Sequence, residues 1–331
     1  MKSIRVKFPR PGVVELEEYD VRDPGKGEVL IENEVSLISS GTELTAFRGE
    51  FPRPSAWSEY VKYPFYPGYS SVGRVVKVGK GVKALEVGDR VAAMGPHATH
   101  FIARAEDVVK VPDAVSSDAA AFHTIASGVM NSVRLARVTL GEKVVVVGAG
   151  LLGQMAVQFS RLSGGFPVVA ADLYDLRLKL ALISGATAVL NASREPLVEG
   201  VRRLIGEADV VFEVTGNPKV IPLAIKLVRS LGRLVILSSP RGPTTLDFHD
   251  EVNRPSRVIL GTHFTSQPAV ETPYNPWTRK RNTELFFSLL EAGIVKVTHL
   301  ITHRYSIREA RDAYELIDKR PSECLGVLLE Y

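Results

Sequence analysis

The chain has 331 residues, 45% apolar and 24% charged, a composition that fits an ordinary globular protein of two domains and excludes disordered, collagen-like and coiled-coil classes. Its net charge of +4 comes from 41 basic and 37 acidic residues spread along the sequence; even the densest cluster, Arg279-Lys280-Arg281, reads as solvated surface, so no nucleic-acid partner is expected. The single cysteine, Cys324, rules out an internal disulfide and a four-cysteine zinc site, and no apolar run is long enough to imply a membrane partner.

The first third reads as β-rich. Met1-Lys2-Ser3-Ile4-Arg5 begins as a strand with no apolar signal region, so a cytoplasmic location is expected. EVLIENEVSLI (28–38) alternates in strand fashion, and SSVGRVVKVGKGV (70–82) sets β-branched residues between glycine turns. GDRVAAMG (88–95) and THFIARAEDVVKVP (99–112) continue the pattern. These short strands predict a small twisted barrel.

The middle of the chain changes period. SSDAAAFHTIASGVMNSVRLA (116–136) predicts a helix, and EKVVVVGAGLLGQMAVQFSRLSG (142–164) passes from a buried strand into an amphipathic helix. Further strands are predicted at 167–172, 187–191, 208–216, 232–239 and 257–264. Helices are predicted between them, including 175–185 and 219–231. Apolar strands alternating with helices indicate a parallel sheet covered on both faces. A helix at 308–318 and a strand at 324–331 follow.

Within that alternation lie Gly148, Gly150 and Gly153, spaced G-x-G-x-x-G after a strand and before a helix, with Asp172 at the end of the next strand. This context makes the spacing a dinucleotide fingerprint. Gly148 permits the tight turn, Gly150 lets backbone approach a pyrophosphate, and Gly153 lets helix and sheet pack closely. The amides of Leu151 and Leu152 then face the phosphates at the helix N-terminus. Asp172 suits the ribose hydroxyls and repels a 2′-phosphate, favouring NAD over NADP, while nearby Arg177 pulls the other way. Val214-Thr215-Gly216, at the end of a later strand, completes the expected cofactor set.

The order of these parts, with ISSGTELTAFRGEFP, PFYPGYSSVGRVVKVGKGVKALEVGDRV and HLITHRYSIREARDAYELI, resembles the medium-chain dehydrogenase/reductase superfamily nearly end to end. SGTE resembles, more narrowly, its bacteriochlorophyllide-dehydrogenase-like and bidomain members. The resemblance implies an α/β chain with a GroES-like catalytic domain (1–121 and 265–331) and a Rossmann domain (122–264). It also implies an active site in the cleft, and homodimers or homotetramers.

In zinc-dependent members three side chains hold the catalytic metal; the matching positions here are Ser40, Tyr69 and His123, and Ser70 replaces a glutamate. Hydroxyls are poor zinc ligands beside thiolate and imidazole, so a zinc-free site is expected. Tyr69 would then hold the reacting oxygen with His123 as acid or base, Thr42 would relay a proton, and Ser40 would add a weaker hydrogen bond. Blander alternatives stay open: Tyr69 as a plug for the space zinc leaves, His123 as a packed helix residue, and Thr42 as a cap of a helix starting near Glu43. A small-molecule substrate is expected against Glu43, Trp57, His97 and His100. A strand would point those two histidines to opposite sides, and an atypical metal site of Glu43, His97 and His123 stays open.

The expected function is NAD-dependent, zinc-independent exchange of a hydride with an alcohol or ketone of the sugar, polyol or secondary-metabolite kind. Alternatives are an enone or quinone reductase and a non-catalytic NAD sensor.

Overall fold

The computed structural model describes residues 1–331 and divides them into two units, 1–125 with 279–331, and 126–278. Residues 265–278 go with the second unit. There Asn131 Nδ2 donates to Ser266 Oγ at 2.8 Å, and the Arg134 guanidinium lies 3.3 Å over the Trp277 ring.

The first unit is built on a seven-stranded sheet. Its centre is the strand Glu28–Leu37, which pairs antiparallel with Ser71–Val78, His100–Arg104 and Gly326–Glu330. Residues from distant parts of the sequence therefore meet on one strand, Leu37 opposite Leu328 and Ser36 opposite Ser71. One apolar cluster gathers Phe8, Ile38, Phe47, Tyr314, Ile317 and Val327, with the Phe8 and Tyr314 rings meeting edge to face at 4.9 Å. A second cluster, with Val29, Ile31, Val75, Val91 and Phe101, fills another part of the sheet. The helix Ser40–Arg48 packs on the helix Ala310–Lys319, and Gly49 ends it in the left-handed conformation at φ +67°.

The second unit is a six-stranded parallel sheet. Numbered in chain order its strands run 3-2-1-4-5-6, the doubly wound arrangement. The leading strand, Val144–Val147, is buried throughout, as a strand covered on both faces must be. No helix in either unit is long and apolar enough to cross a membrane.

Two element expectations need correction. The helix expected over 219–231 stops early: a turn of helix at Ile221–Ala224 and a 3₁₀ turn at Ile225–Leu227 give way to the strand Val228–Ile236. Val228 is drawn into the sheet opposite Ala208, and an irregularity with Leu231 at φ +62° absorbs the extra residues. The helix expected over 116–136 is two helices, Ser117–Ala120 and His123–Ala136, the second beginning at His123 itself.

Candidate active site and cofactor cradle

The glycine loop performs three different steric tasks. Gly148 turns at φ +102°, and a Cβ there would lie 3.1 Å from the Val214 carbonyl carbon and the Thr215 methyl. A Cβ on Gly153 would lie 2.0 Å from the Gly148 carbonyl oxygen, so the helix Leu151–Leu162 can sit this close only with glycine. Gly150, by contrast, has nothing within 4 Å of a Cβ: its open side is where a pyrophosphate would approach. Val214 and Thr215 thus lie against Gly148, while Gly216, at φ +67°, lies against Ser239 and Arg241.

Asp172 is the end of the strand Val168–Asp172. Its Oδ2 accepts from the Ala149 amide at 2.7 Å, and its Oδ1 accepts from the Leu173 and Tyr174 amides at 2.8 and 3.1 Å. The carboxylate therefore fixes the glycine loop itself. Arg177 Nη1 lies 3.9 Å away, its guanidinium over the Tyr174 ring at 4.9 Å. A further residue, missed in the sequence, is Glu213. It is fully buried and accepts from the Thr215 amide at 2.8 Å, from the Thr215 hydroxyl, and from Ser238 Oγ at 2.6 Å. The signal was a lone charge inside the apolar run ADVVFEV, where a buried carboxylate must have partners.

In the first unit, Tyr69 donates its hydroxyl proton to Ser39 Oγ and lies 3.4 Å from Thr42 Oγ1. Burial pushes the phenol well above its ordinary range, against those two hydrogen bonds, so it is protonated at neutral pH. The hydroxyl that meets Tyr69 is that of Ser39; Ser40, half-buried, is the first residue of the helix. The resemblance points to Ser40 by position along the chain, whereas the contact depends on which hydroxyl the helix start turns toward residue 69. Thr42 lies within the first turn of that helix, and its N-cap position belongs to Ser39.

His123 is 5% exposed, and burial pushes its pKa down to about 4, against the opposing pull of the Ala93 and Ser71 main chain. It is a neutral imidazole near pH 7. Its neighbour Thr124 donates to the Tyr69 carbonyl at 2.8 Å, tying this helix start to the tyrosine segment.

Glu43 and His97, expected against substrate, are instead inside the unit and against each other. Glu43 is 1% exposed and His97 0%, with Nε2 to Oε2 at 3.0 Å. His100 is elsewhere: it lies opposite Glu32, 3.6 Å from its carboxylate, and lines a cavity of about 460 Å³ with Lys2, Glu18 and Tyr331. Trp57, on the short helix Ala56–Tyr60, packs against the Phe8–Tyr314 cluster and stacks on Phe51 at 6.4 Å.

A zinc ion does not fit the three positions where the resemblance would put its ligands. A serine hydroxyl and a phenol held protonated are not zinc donors, which leaves neutral His123 as the one residue of the three suited to the metal, too few for a zinc site. No group of three or more His, Cys, Asp or Glu side chains in the structure is arranged to hold a metal ion.

A glycine-loop doubly wound unit carried in one chain with a β-rich unit is an arrangement suited to a pyridine-nucleotide oxidoreductase. Residues 25–115 match the alcohol dehydrogenase GroES-like domain and 152–278 the zinc-binding dehydrogenase family. The L-threonine 3-dehydrogenase of Pyrococcus horikoshii is 28% identical, the match covering 96% of this chain and 95% of that one. That of Bacillus licheniformis is 28% identical over 99% and 98% of the two chains. In fold, the chain is similar to a short chain alcohol dehydrogenase from Escherichia coli complexed with NADH, with TM-score 0.85, 22% identity and 100% and 99% coverage. A Sinorhizobium meliloti structure bound to NADP gives TM-score 0.82 at 21% identity, covering both chains fully. The chain belongs to the medium-chain dehydrogenase/reductase superfamily, in its alcohol-dehydrogenase-like part.

Proposed function

We propose that the protein moves a hydride between NAD(H) and the carbinol or carbonyl carbon of an alcohol/ketone substrate, without zinc. The observation that carries this reading is the hydroxyl cluster Tyr69–Ser39–Thr42, a protonated phenol at a position where zinc-dependent relatives have a metal ligand.

Gly148, Gly150, the amides of Leu151 and Leu152, Gly153, Asp172 and Val214-Thr215-Gly216 would hold the dinucleotide. Asp172 favours NAD through repulsion of a 2′-phosphate, with Arg177 as its counterweight. When bound, the nicotinamide supplies or accepts the hydride. With substrate bound, Tyr69 would turn its single hydroxyl proton from Ser39 Oγ to the reacting oxygen, with Ser39 donating to the phenol oxygen in return, and the new bond grows stronger as negative charge develops there. Thr42, 3.4 Å from the phenol oxygen, is placed to pass the oxygen's proton onward. His123 stands beside them as a neutral imidazole; with its pKa near 4 it is not a reservoir of positive charge at neutral pH.

A sugar, polyol or secondary-metabolite alcohol is the substrate class we favour, with L-threonine included because the relatives bear that name. We further propose a cytoplasmic homodimer or homotetramer with neither nucleic-acid nor membrane partners.

The test is a cofactor-fluorescence screen with NADH and NADPH against alcohols, sugars, amino-acid alcohols, ketones and enones, run in chelator and paired with elemental analysis. Turnover of an alcohol or ketone by metal-free protein is the expected result. Turnover restricted to enones would make it a double-bond reductase, and NADH binding without any turnover would make it a sensor.

A further inference from the structure

We propose that Glu43 and His97 are positioning residues for Tyr69, acting through the first turn of the helix Ser40–Arg48. The inference rests on the reading of Tyr69 as the group that holds the reacting oxygen.

The first turn of this helix is capped in an unusual way. An N-cap serine ordinarily uses its hydroxyl to accept from an amide of the first turn, and an acidic residue one turn on reaches back to the N-cap amide. Here the reach back to the N-cap amide is made from the position after the usual one, N4 in place of N3: Glu43 Oε1 accepts from the Ser39 amide at 2.8 Å. The first half is missing, since the Ser39 side chain makes no capping bond and its Oγ accepts from Tyr69 instead. Glu43 holds the turn so that the serine hydroxyl serves the tyrosine.

Glu43 is in turn held from behind. His97 Nε2 lies 3.0 Å from its Oε2, the Tyr314 hydroxyl donates to the same oxygen, and His97 Nδ1 lies 2.6 Å from Ser36 Oγ. Ser36 Oγ is 2.6 Å from the Tyr331 hydroxyl, which extends the chain of contacts across the sheet. Burying a carboxylate is costly unless it is hydrogen-bonded, and both oxygens of this one are engaged, by three groups in all.

His97 also reaches Tyr69 by a second route. Its amide donates to the Pro67 carbonyl at 2.9 Å, and a Cβ on Gly68, at φ +102°, would lie 2.4 Å from the His97 nitrogen. The backbone immediately before Tyr69 is therefore pressed against His97, while the Tyr69 hydroxyl is received by a turn that Glu43 holds. Both ends of the tyrosine are located by this one pair.

The experiment uses full-length protein with isotope-labelled tyrosine rings, the Tyr69 signal being assigned from its loss in Tyr69→Phe. Glu43→Gln and His97→Phe are compared with wild type, with no cofactor or substrate present. An amide cannot accept from all three donors, so Glu43→Gln breaks the arrangement at nearly constant volume. The expected result is a displaced or doubled Tyr69 signal in both variants, restored toward wild type in His97→Gln, whose amide N–H still faces Glu43. Should Glu43→Gln fail to fold, Tyr314→Phe removes one donor and leaves the carboxylate, with a smaller displacement expected. An undisturbed Tyr69 signal in the folded variants overturns the proposal.

Once a substrate is in hand, Glu43→Gln is expected to lower kcat about tenfold or more with KM for NADH nearly unchanged. It should add little to Tyr69→Phe, because residues acting through one group are not additive. Full additivity would also overturn the proposal. A displaced signal alongside full turnover in Tyr69→Phe would instead overturn the catalytic reading of Tyr69 and leave the positioning intact.

Discussion

A phenol that stays protonated is a hydrogen-bond donor first and a proton source second. Replacing Tyr69 by Phe removes one donor from the position of the developing negative charge. The expected cost is about 10²-fold in kcat, with the melting temperature little changed. Steady-state kinetics with NADH beside a thermal melt measures both. His123 makes a prediction of opposite kind, in stability. Its pKa is about 4 in the folded protein against an ordinary 6.5, so between those values the unfolded chain binds the proton and the folded chain does not. Stability from this residue is therefore complete above about pH 6.5 and falls as the pH drops toward 4, by on the order of 3 kcal/mol. Urea denaturation at pH 7 and pH 4.5 should show a smaller difference in His123→Gln than in wild type.

At the scale of elements, the glycine loop separates packing from binding. Gly150→Ala meets nothing in the protein, so it should fold and melt as wild type does yet bind NADH at least tenfold more weakly. Gly153→Ala drives a methyl into the Gly148 carbonyl and should lose both melting temperature and cofactor affinity. Calorimetric melts and NADH titration of the two variants give the comparison. The loop was readable in the sequence because its chemistry is local: three glycines, one strand, one helix and the acid that follows. The first residues of the strand at 228–236 were not, although its second half falls within the strand expected at 232–239: IKLVRSL has good helical content, and pairing with Ala208 draws Val228 into the sheet. The same division runs through the first unit. Tyr69 and Thr42 were legible from resemblance at single positions, whereas Ser39 as the phenol's partner depends on how a helix start meets residue 69. Glu43 and His97 looked like polar groups for a substrate, because nothing in the sequence reveals that they face each other under the sheet.

For the molecule as a whole, the doubly wound unit has two edge strands, Ala188–Asn191 and Val258–Gly261. The strand Val258–Gly261 ends the sheet, with Val258 51% and Ile259 36% exposed, an apolar edge of the kind that pairs with another chain. Two copies joined edge to edge would account for the proposed dimer. Val258→Lys with Ile259→Lys should then give a monomer by light scattering, with NADH binding by residues 126–278 retained. A wild-type protein that is already monomeric would remove this expectation.

The strand pairings of the first unit carry a consequence for how the protein comes to life after synthesis or denaturation. Ser36 and Tyr331 are 295 residues apart in sequence and Glu43 and Tyr314 are 271 apart, yet both contacts belong to the network behind Tyr69. Residues 126–278, by contrast, form one uninterrupted stretch. Contacts so distant along the chain are slow to close, and the nucleotide unit has no need to wait for them. On dilution from denaturant, NADH fluorescence should return first and turnover later. There is then an interval in which the protein already captures its cofactor but has not yet assembled the chemistry to use it.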